Sequence, residues 1–507
     1  MPPRQKKGRF PLAVTAVVII LLIIGGLLLL VHRHNPKTAT ASTTPSLTLY
    51  YSDGKTVLWH RGAEDSPKTQ APYFVALVEG SLKQKYGQDY LDKGAWSVTT
   101  TLDSDLQPTA EKLVADNATT MQTTTGGVAD EAALVLQDVK TGQIKALVGG
   151  VNSGDTEEGH VNYANTILPG GTSMLPFDYA ALIDETTTAG AGSPIDDTQG
   201  PLPGYACTNT SLPSPPSGEG NCAFDADFKY PGTLSVRYAL GGNRKVPAIK
   251  AMLGAVPGDT NRLQIASIDK TIQLVDDMSA DKAYKCYSDA ALTKTTQCYT
   301  ASAIGDSAYI TLLNELHGLA TIANNGKKMP QTTIISVRLN GKKQAIPGQS
   351  GSRQVIKPDT AYILNNILSD PNASYLPGSC DTSVCASFAS GGYKFQRYQG
   401  WDFAVDPGAT TDGYGATMAS WSTQYAAISW VGNSSQNKAL PVVGELLTEP
   451  LTRGMMEAAH AGKSPANWQQ PGDIQTLPAF VVSNRIHYGD VEPSPAMDIY
   501  PAWYKQH

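Results

Sequence analysis

Apolar and polar positions divide the chain into three regimes. Residues 11–31 are apolar almost without interruption, a run of twenty-one. At about 1.5 Å rise per residue such a run reaches roughly 30 Å, the thickness of a bilayer core, and predicts one transmembrane helix. Residues 32–46 form a spacer, Thr-, Ser-, Ala- and Pro-rich from Asn35, that reads as flexible. From residue 47 onward the pattern becomes that of a folded, mixed chain. Segments 47–51 and 56–59 flank Ser52-Asp53-Gly54-Lys55 and predict a hairpin. Phe74, Ala76, Leu77, Val78 and Leu82 predict a helix over 74–86. Further helices are predicted over 105–115, with Pro108 in the first turn, and over 306–324, 359–368 and 449–461. Strands are predicted at 132–137 and 143–148 around Lys140-Thr141-Gly142, and at 332–339 and 354–356 around Asn340-Gly341. Residues 416–421 and 425–431 alternate and predict a hairpin of a central sheet. Residues 195–223, rich in Gly, Pro, Ser and Asn, predict a long surface loop. After Pro471 the pattern turns irregular, and Tyr500-Pro501-Ala502-Trp503-Tyr504 is expected to dock back on the body.

Charge orients this arrangement. Arg4, Lys6, Lys7 and Arg9 precede the apolar run, which puts residues 1–10 in the cytoplasm and everything after His34 outside. The competing reading is a cleaved signal peptide with Ala39-Thr40-Ala41 at its cleavage site; the apolar run is longer than the usual h-region of about 7–15 residues. At 507 residues the chain has room for two or more domains. A formal net charge of −6, a pI near 5.8 and the lack of a basic block argue against nucleic acid. The eight His show no metal-ligand spacing, so no metal is expected, nor any cofactor. The six Cys all fall in the outer part: Cys207, Cys222, Cys286, Cys298, Cys380 and Cys385. Six allow fifteen connectivities; the local set 207–222, 286–298 and 380–385 is the simplest, with free buried thiols as the alternative.

The chemistry centres on Leu168-Pro169-Gly170-Gly171-Thr172-Ser173-Met174-Leu175-Pro176-Phe177, a turn that runs into a helix. Free N–H groups at such a start can hold an oxyanion beside a nucleophile. The stretch resembles the active-serine region of the penicillin-binding protein transpeptidases, which reads Pro-Gly-Ser-x-x-Lys-Pro. Ala133-Leu134-Val135 with Gly149-Gly150, Ala320 to Gly326, and Ser429-Trp430-Val431-Gly432 extend the resemblance over roughly 47–475. Ala71 to Val75, Lys85-Tyr86-Gly87 and Val98 to Asp103 resemble the linker of bifunctional, class A members. That linker there follows a glycosyltransferase domain, for which the chain before residue 47 is too short. The resemblance implies an α/β (α+β) three-layer sandwich, an antiparallel central sheet with helices on both faces, as in the penicillin-binding protein/β-lactamase fold. The implied division is a linker module at 47–97, a transpeptidase-like domain at 98–475 and a C-terminal tail at 476–507.

The three motifs of that family are all replaced. The hydroxyl position holds Thr172 and the base position Leu175, which accepts no proton. One glycine, Gly170 or Gly171, is extra; shifting the register puts Ser173 in place of the nucleophile with Pro176 as its partner. Ser-x-Asn becomes Asn243-Arg244-Lys245, and Lys-Thr-Gly becomes Asp406-Pro407-Gly408. Lys140-Thr141-Gly142 matches the third motif by string alone and sits in a hairpin turn. Lys245 and Asp406 change charge in opposite senses, which predicts an ion pair across the old cleft. The expectation is therefore a membrane-anchored, catalytically inactive relative, a structural or binding component in peptidoglycan and envelope assembly. Two rivals stay open: an active acyltransferase with a relocated base, such as Lys245 on Thr172, and a non-covalent peptidoglycan receptor.

Overall fold

The computed structural model describes residues 45–61, 71–151, 161–203, 205–208, 222–225, 230–259, 264–280, 282–286, 301–306, 308–348, 350–373, 394–410, 412–442, 444–480 and 497–506. The predicted membrane segment 11–31 lies outside them. Among the described residues no helix is long and apolar enough to cross a membrane.

Ten strands make the two larger sheets: β1 (Ser46–Tyr50), β2 (Val57–Arg61), β3 (Ala95–Thr100), β4 (Glu131–Asp138), β5 (Ile144–Val148), β6 (Ile334–Leu339), β7 (Lys342–Gln344), β8 (Ala404–Ala409), β9 (Gly415–Trp421) and β10 (Tyr425–Gly432). The helices used below are α1 (Pro72–Tyr86), α2 (Leu106–Thr125), α3 (Leu175–Glu185), α4 (Val236–Gly241), α5 (Lys245–Leu253), α6 (Ile265–Met278), α7 (Leu312–Ala323), α8 (Pro358–Leu368) and α9 (Glu445–His460).

The central sheet runs β8-β9-β10-β4-β5, antiparallel throughout. Its inner strands are buried along nearly their whole length, because helices cover both faces. On one face α2 and α9 meet Leu134, Leu136, Met418 and Val431 through Val114, Met121, Leu451 and Met455. On the other, α7 and α8 bring Leu316, Leu319 and Leu364 against Val135, Ala419 and Ile428. Helices on both faces of an antiparallel sheet are what the resemblance implies.

Several boundaries differ. The small module is not confined to 47–97, because β6 and β7 return to it and complete a sheet in the order β7-β6-β3-β1-β2. The strand at 332–339 does not pair with 354–356; it turns at Asn340-Gly341 onto β7, and Arg353–Gln354 pairs with Lys327–Lys328. Helix α2 runs ten residues past its predicted end, since its later core-facing positions include the polar Asn117 and Thr125; the Asn117 amide donates to the Leu447 carbonyl at 2.9 Å. The segment predicted as one helix over 306–324 opens as a strand, Ala308–Thr311, paired with Ile167–Pro169. Helix α7 starts only after Thr311, whose hydroxyl caps it by accepting the Asn314 N–H at 3.2 Å. The end of the chain docks on the body, as expected for Tyr500 to Tyr504. Met497–Tyr500 pairs with Gln475–Pro478, Asp498 holds Arg237 of α4 at 2.7 and 2.9 Å, and the Trp503 indole donates to the Ile183 and Thr186 carbonyls. Cys207 and Cys222 form a disulfide; the pairs 286–298 and 380–385 involve residues outside the described set.

Candidate active site

Edge strand β8 lies directly against the short 3-10 turn Gly171–Met174 that leads into α3. Gly171 takes φ +63°, and a Cβ there would sit 2.8 Å from the Ala409 carbonyl carbon. The glycine that looks surplus in sequence is thus required by the close approach of the two backbones.

Thr172 is 2% exposed and its hydroxyl is fully committed. It donates to the Pro407 carbonyl at 3.2 Å and accepts from Asn243 Nδ2 at 3.0 Å and from the Ala409 N–H at 3.2 Å. Asn243, held at φ +51°, also donates to the Pro407 carbonyl at 3.1 Å. The first-motif, second-motif and third-motif positions are therefore brought together, as an intramolecular tie. Leu175 is fully buried in the core at the first turn of α3. Ser173 is buried too; it donates to the Gly170 carbonyl at 2.7 Å and accepts from the Thr417 hydroxyl at 3.0 Å. Gly408 faces that pair: a Cβ would fall 1.9 Å from Thr417 Oγ1 and 2.7 Å from Ser173 Oγ.

The predicted ion pair is not formed. The Lys245 ammonium lies 5.2 Å from the centre of the Phe224 ring, while the Lys245 N–H, at the start of α5, donates to Asp225 at 2.6 Å. Among the described residues no ion pair joins Lys245 to Asp406. Arg244, the middle residue of the second motif, is buried with Asp197 and Asp225 as its ion-pair partners. Asp406 is fully buried, and burial, with Glu315 beside it, pushes its carboxyl well above the usual range. Glu315, on α7, is pushed up to about 7 by burial, against a contribution from Ser173 that lowers it. Sequence reasoning missed Glu315. It is the one acid in Leu312-Leu313-Asn314-Glu315-Leu316, and an isolated carboxylate in an apolar helix face was the available signal.

Chemically, the hydroxyl at 172 has hydrogen-bond donors around it and a backbone carbonyl as its proton's acceptor, with no amine or imidazole in the arrangement. The Pro407 carbonyl and the Ala409 N–H face out from the edge strand, and both are occupied by Thr172 and Asn243.

No family model matches the chain. Over 198 residues it is 30% identical to penicillin-binding protein 1A/1B of Bacillus subtilis, covering 38% of this chain and 19% of that protein. Over 247 residues it is 26% identical to penicillin-binding protein 1A of Neisseria flavescens, covering 47% and 26%. The chain thus spans about a fifth to a quarter of the length of these curated relatives. Among solved structures, penicillin-binding protein 1A of Haemophilus influenzae superposes with a TM-score of 0.61 at 16% identity, over 85% of this chain and 78% of that one. PonA1 of Mycobacterium tuberculosis, in complex with penicillin V, gives 0.59 at 19%, over 84% and 100%. The D,D-transpeptidase domain of a peptidoglycan glycosyltransferase from Eggerthella lenta gives 0.57 at 13%, over 83% and 99%. The chain is homologous to penicillin-binding protein 1A over part of its length and has the fold of penicillin-binding protein transpeptidase domains.

Proposed function

We propose that this protein is a catalytically inactive penicillin-binding-protein-like component of the bacterial cell envelope. In this reading residues 11–31 anchor it in the cytoplasmic membrane with the N-terminus inside. The folded part stands outside, where it serves peptidoglycan assembly as a structural or binding partner. The observation that carries the reading is the state of the Thr172 hydroxyl, tied to Asn243, Pro407 and Ala409 with Leu175 at the position of the base. An acyl transfer needs a proton acceptor within hydrogen-bond reach of the attacking oxygen. Lys245, the rival base, is the residue directed at Phe224.

The test is labelling of the full chain with a fluorescent penicillin, beside an active transpeptidase as positive control. No covalent label is expected on the wild type or on Thr172→Ala. A labelled wild-type band that Thr172→Ala abolishes overturns the proposal in favour of the relocated-base enzyme. Saturable muropeptide binding without turnover and without label replaces the structural role by the receptor role.

A further inference from the structure

One end of the small module is basic. Residues 83–93 and 338–343 hold six cations, Lys83, Lys85, Lys93, Arg338, Lys342 and Lys343, against two acids, Asp89 and Asp92, in a chain whose formal net charge is −6. The fold brings the two segments together. The Tyr86 hydroxyl donates to the Ala345 carbonyl, and the Lys93 ammonium donates to the Tyr86 carbonyl at 2.6 Å. The Asn340 amide donates to the Lys93 carbonyl at 3.4 Å, while its oxygen accepts the Ala95 N–H at 2.9 Å. Lys83 is half-buried and the other five cations are exposed. Among the described residues none of the six makes an ion pair, and Arg338 is the one arginine without a carboxylate partner.

Arg338 of β6 and Lys343 of β7 stand directly opposite each other in the sheet. Residues so paired project from one face. Val337, next along β6 and paired with Val98, is buried, so Arg338 and Lys343 point away from the core of the module. Like charges directly opposite repel and weaken a strand pair. An anion between them turns that repulsion into attraction: the arginine fork takes two oxygens of one phosphate, and the lysines add point charges.

The course of the chain determines which anion this end meets. Strand β1 starts here: the Ser46 N–H donates to the Gly94 carbonyl at 3.4 Å, and Ser46 lies beside Ala95, whose carbonyl accepts the Asn340 N–H at 2.8 Å. The apolar run ends at residue 31, and the stretch 32–45 reaches at most about 50 Å even when fully extended. At their other ends β3 and β6 join the body. There the Thr101 N–H donates to the Thr333 carbonyl, and the Ile144 N–H of β5 to that of Thr332, both at 3.0 Å. The chain from the apolar run thus enters the module at its basic end, and the body lies at the opposite end.

We propose that the basic end of the small module is a docking surface for anionic phospholipid headgroups of the membrane that residues 11–31 enter. The inference rests on the anchored reading given above and adds a second, electrostatic contact to it. Headgroup phosphates gather at Arg338 and Lys343 and at the neighbouring lysines. That contact fixes this end of the module against the bilayer, so the body stands at a set height and orientation over the membrane. Attraction of clustered Lys and Arg to an anionic surface needs no shaped pocket, falls off within a Debye length and weakens with salt. A soluble anionic polymer offers the same charge, but it is the bilayer that the chain itself brings to this end.

The test places the full chain in nanodiscs of phosphatidylcholine, pure or mixed two to one with phosphatidylglycerol, and follows acetylation of each lysine by mass spectrometry. In the anionic discs at low salt Lys93, Lys342 and Lys343 should react about threefold more slowly or less than in the neutral ones, and high salt should remove the difference. Lys112 and Lys438, exposed on the body, should react equally in both. The triple variant Arg338→Gln, Lys342→Gln, Lys343→Gln should stay folded by circular dichroism and lose the protection of Lys93. Retention of the chain by the discs through gel filtration in high salt reads the anchor by itself. A chain that leaves the discs there overturns the anchored reading and this inference with it. A retained chain with equal rates in the two kinds of disc, protection that salt does not remove, or full protection of Lys93 in the folded variant overturns this inference alone. Protection by soluble polyphosphate in neutral discs, with none from phosphatidylglycerol, overturns it in favour of an anionic polymer.

Discussion

Replacing Thr172 by Val tests whether this residue is a tie or a nucleophile. Valine keeps the shape of threonine, so the packing of the turn against β8 is preserved while the hydroxyl is lost. Three hydrogen bonds at 3.0–3.2 Å disappear with it. Asn243 Nδ2 and the Pro407 carbonyl still have each other at 3.1 Å, so their loss is small. The Ala409 N–H, part-buried, loses its acceptor, and a donor stranded away from water costs about 1–3 kcal/mol. Thr172→Val is therefore expected to be about 2 kcal/mol less stable than the wild type. Thr172→Ser keeps all three bonds, gives up one buried methyl, and should lose only about 0.8–1 kcal/mol. The assay is urea unfolding of the full chain, with the midpoint falling and the slope unchanged. A Thr172→Val protein as stable as the wild type would refute the reasoning, because a hydroxyl kept free for chemistry contributes nothing to the fold when removed.

Three further outcomes follow from the same geometry. Gly408→Ala places a methyl 1.9 Å from Thr417 Oγ1, which is itself tied to Ser173, so it should destabilise by about 1–3 kcal/mol in urea unfolding; a neutral result means β8 is not pressed on the turn. Asp498→Ala leaves buried Arg237 with the half-exposed Asp370 as its remaining ionic partner, and should cost about 3–5 kcal/mol and release the C-terminal hairpin, read by trypsin cleavage after Lys505 or by Trp503 fluorescence. Glu315 has a folded pKa near 7 against an ordinary 4.5, so the folded state binds its proton more tightly and stability from this group is present at low pH and lost as pH rises from about 4.5 to 7. His317 and His460, lowered to about 4 by burial, act with the opposite sign in an overlapping window, so the clean measurement is the wild type against Glu315→Gln at each pH: the wild type should lose about 3 kcal/mol relative to the variant across that range and nothing more above it.

Periodicity made individual strands and helices legible, while their arrangement in three layers came from the resemblance. The hairpin at 415–432 and the strands flanking Lys140-Thr141-Gly142 are buried by neighbours close in sequence or by helices with clear apolar faces. What escaped was set by contacts across long separations. Helix α2 continues past residue 115 because Asn117 finds a carbonyl 330 residues away. Residues 308–311 become a strand because Ile167–Pro169 lies beside them, which no local pattern encodes. At the site, the sequence alone places at 175 a side chain that accepts no proton. The charge argument for Lys245 and Asp406 failed for a different reason: sequence gives the sign of a charge but not its direction. Lys245 opens a helix and carries its ammonium toward an aromatic ring, whereas Asp406 is buried on an edge strand near another acid.

The replaced residues also account for each other. An exposed edge strand offers unpaired N–H and C=O groups to any extended peptide, and that is how such an edge receives one. Here the proline at 407 removes one donor outright, the Pro407 carbonyl takes two donors from Thr172 and Asn243, and the Ala409 N–H is taken by Thr172. A peptide that paired with β8 would have to displace all of these, and would also have to move a turn whose Gly171 backbone already touches the strand. Restoring a single motif residue leaves that closure in place. Leu175→Lys would bury an ammonium in the core under α3 without freeing the hydroxyl it is meant to serve, so reopening the site requires changes at 171, 243 and 407 together with the base.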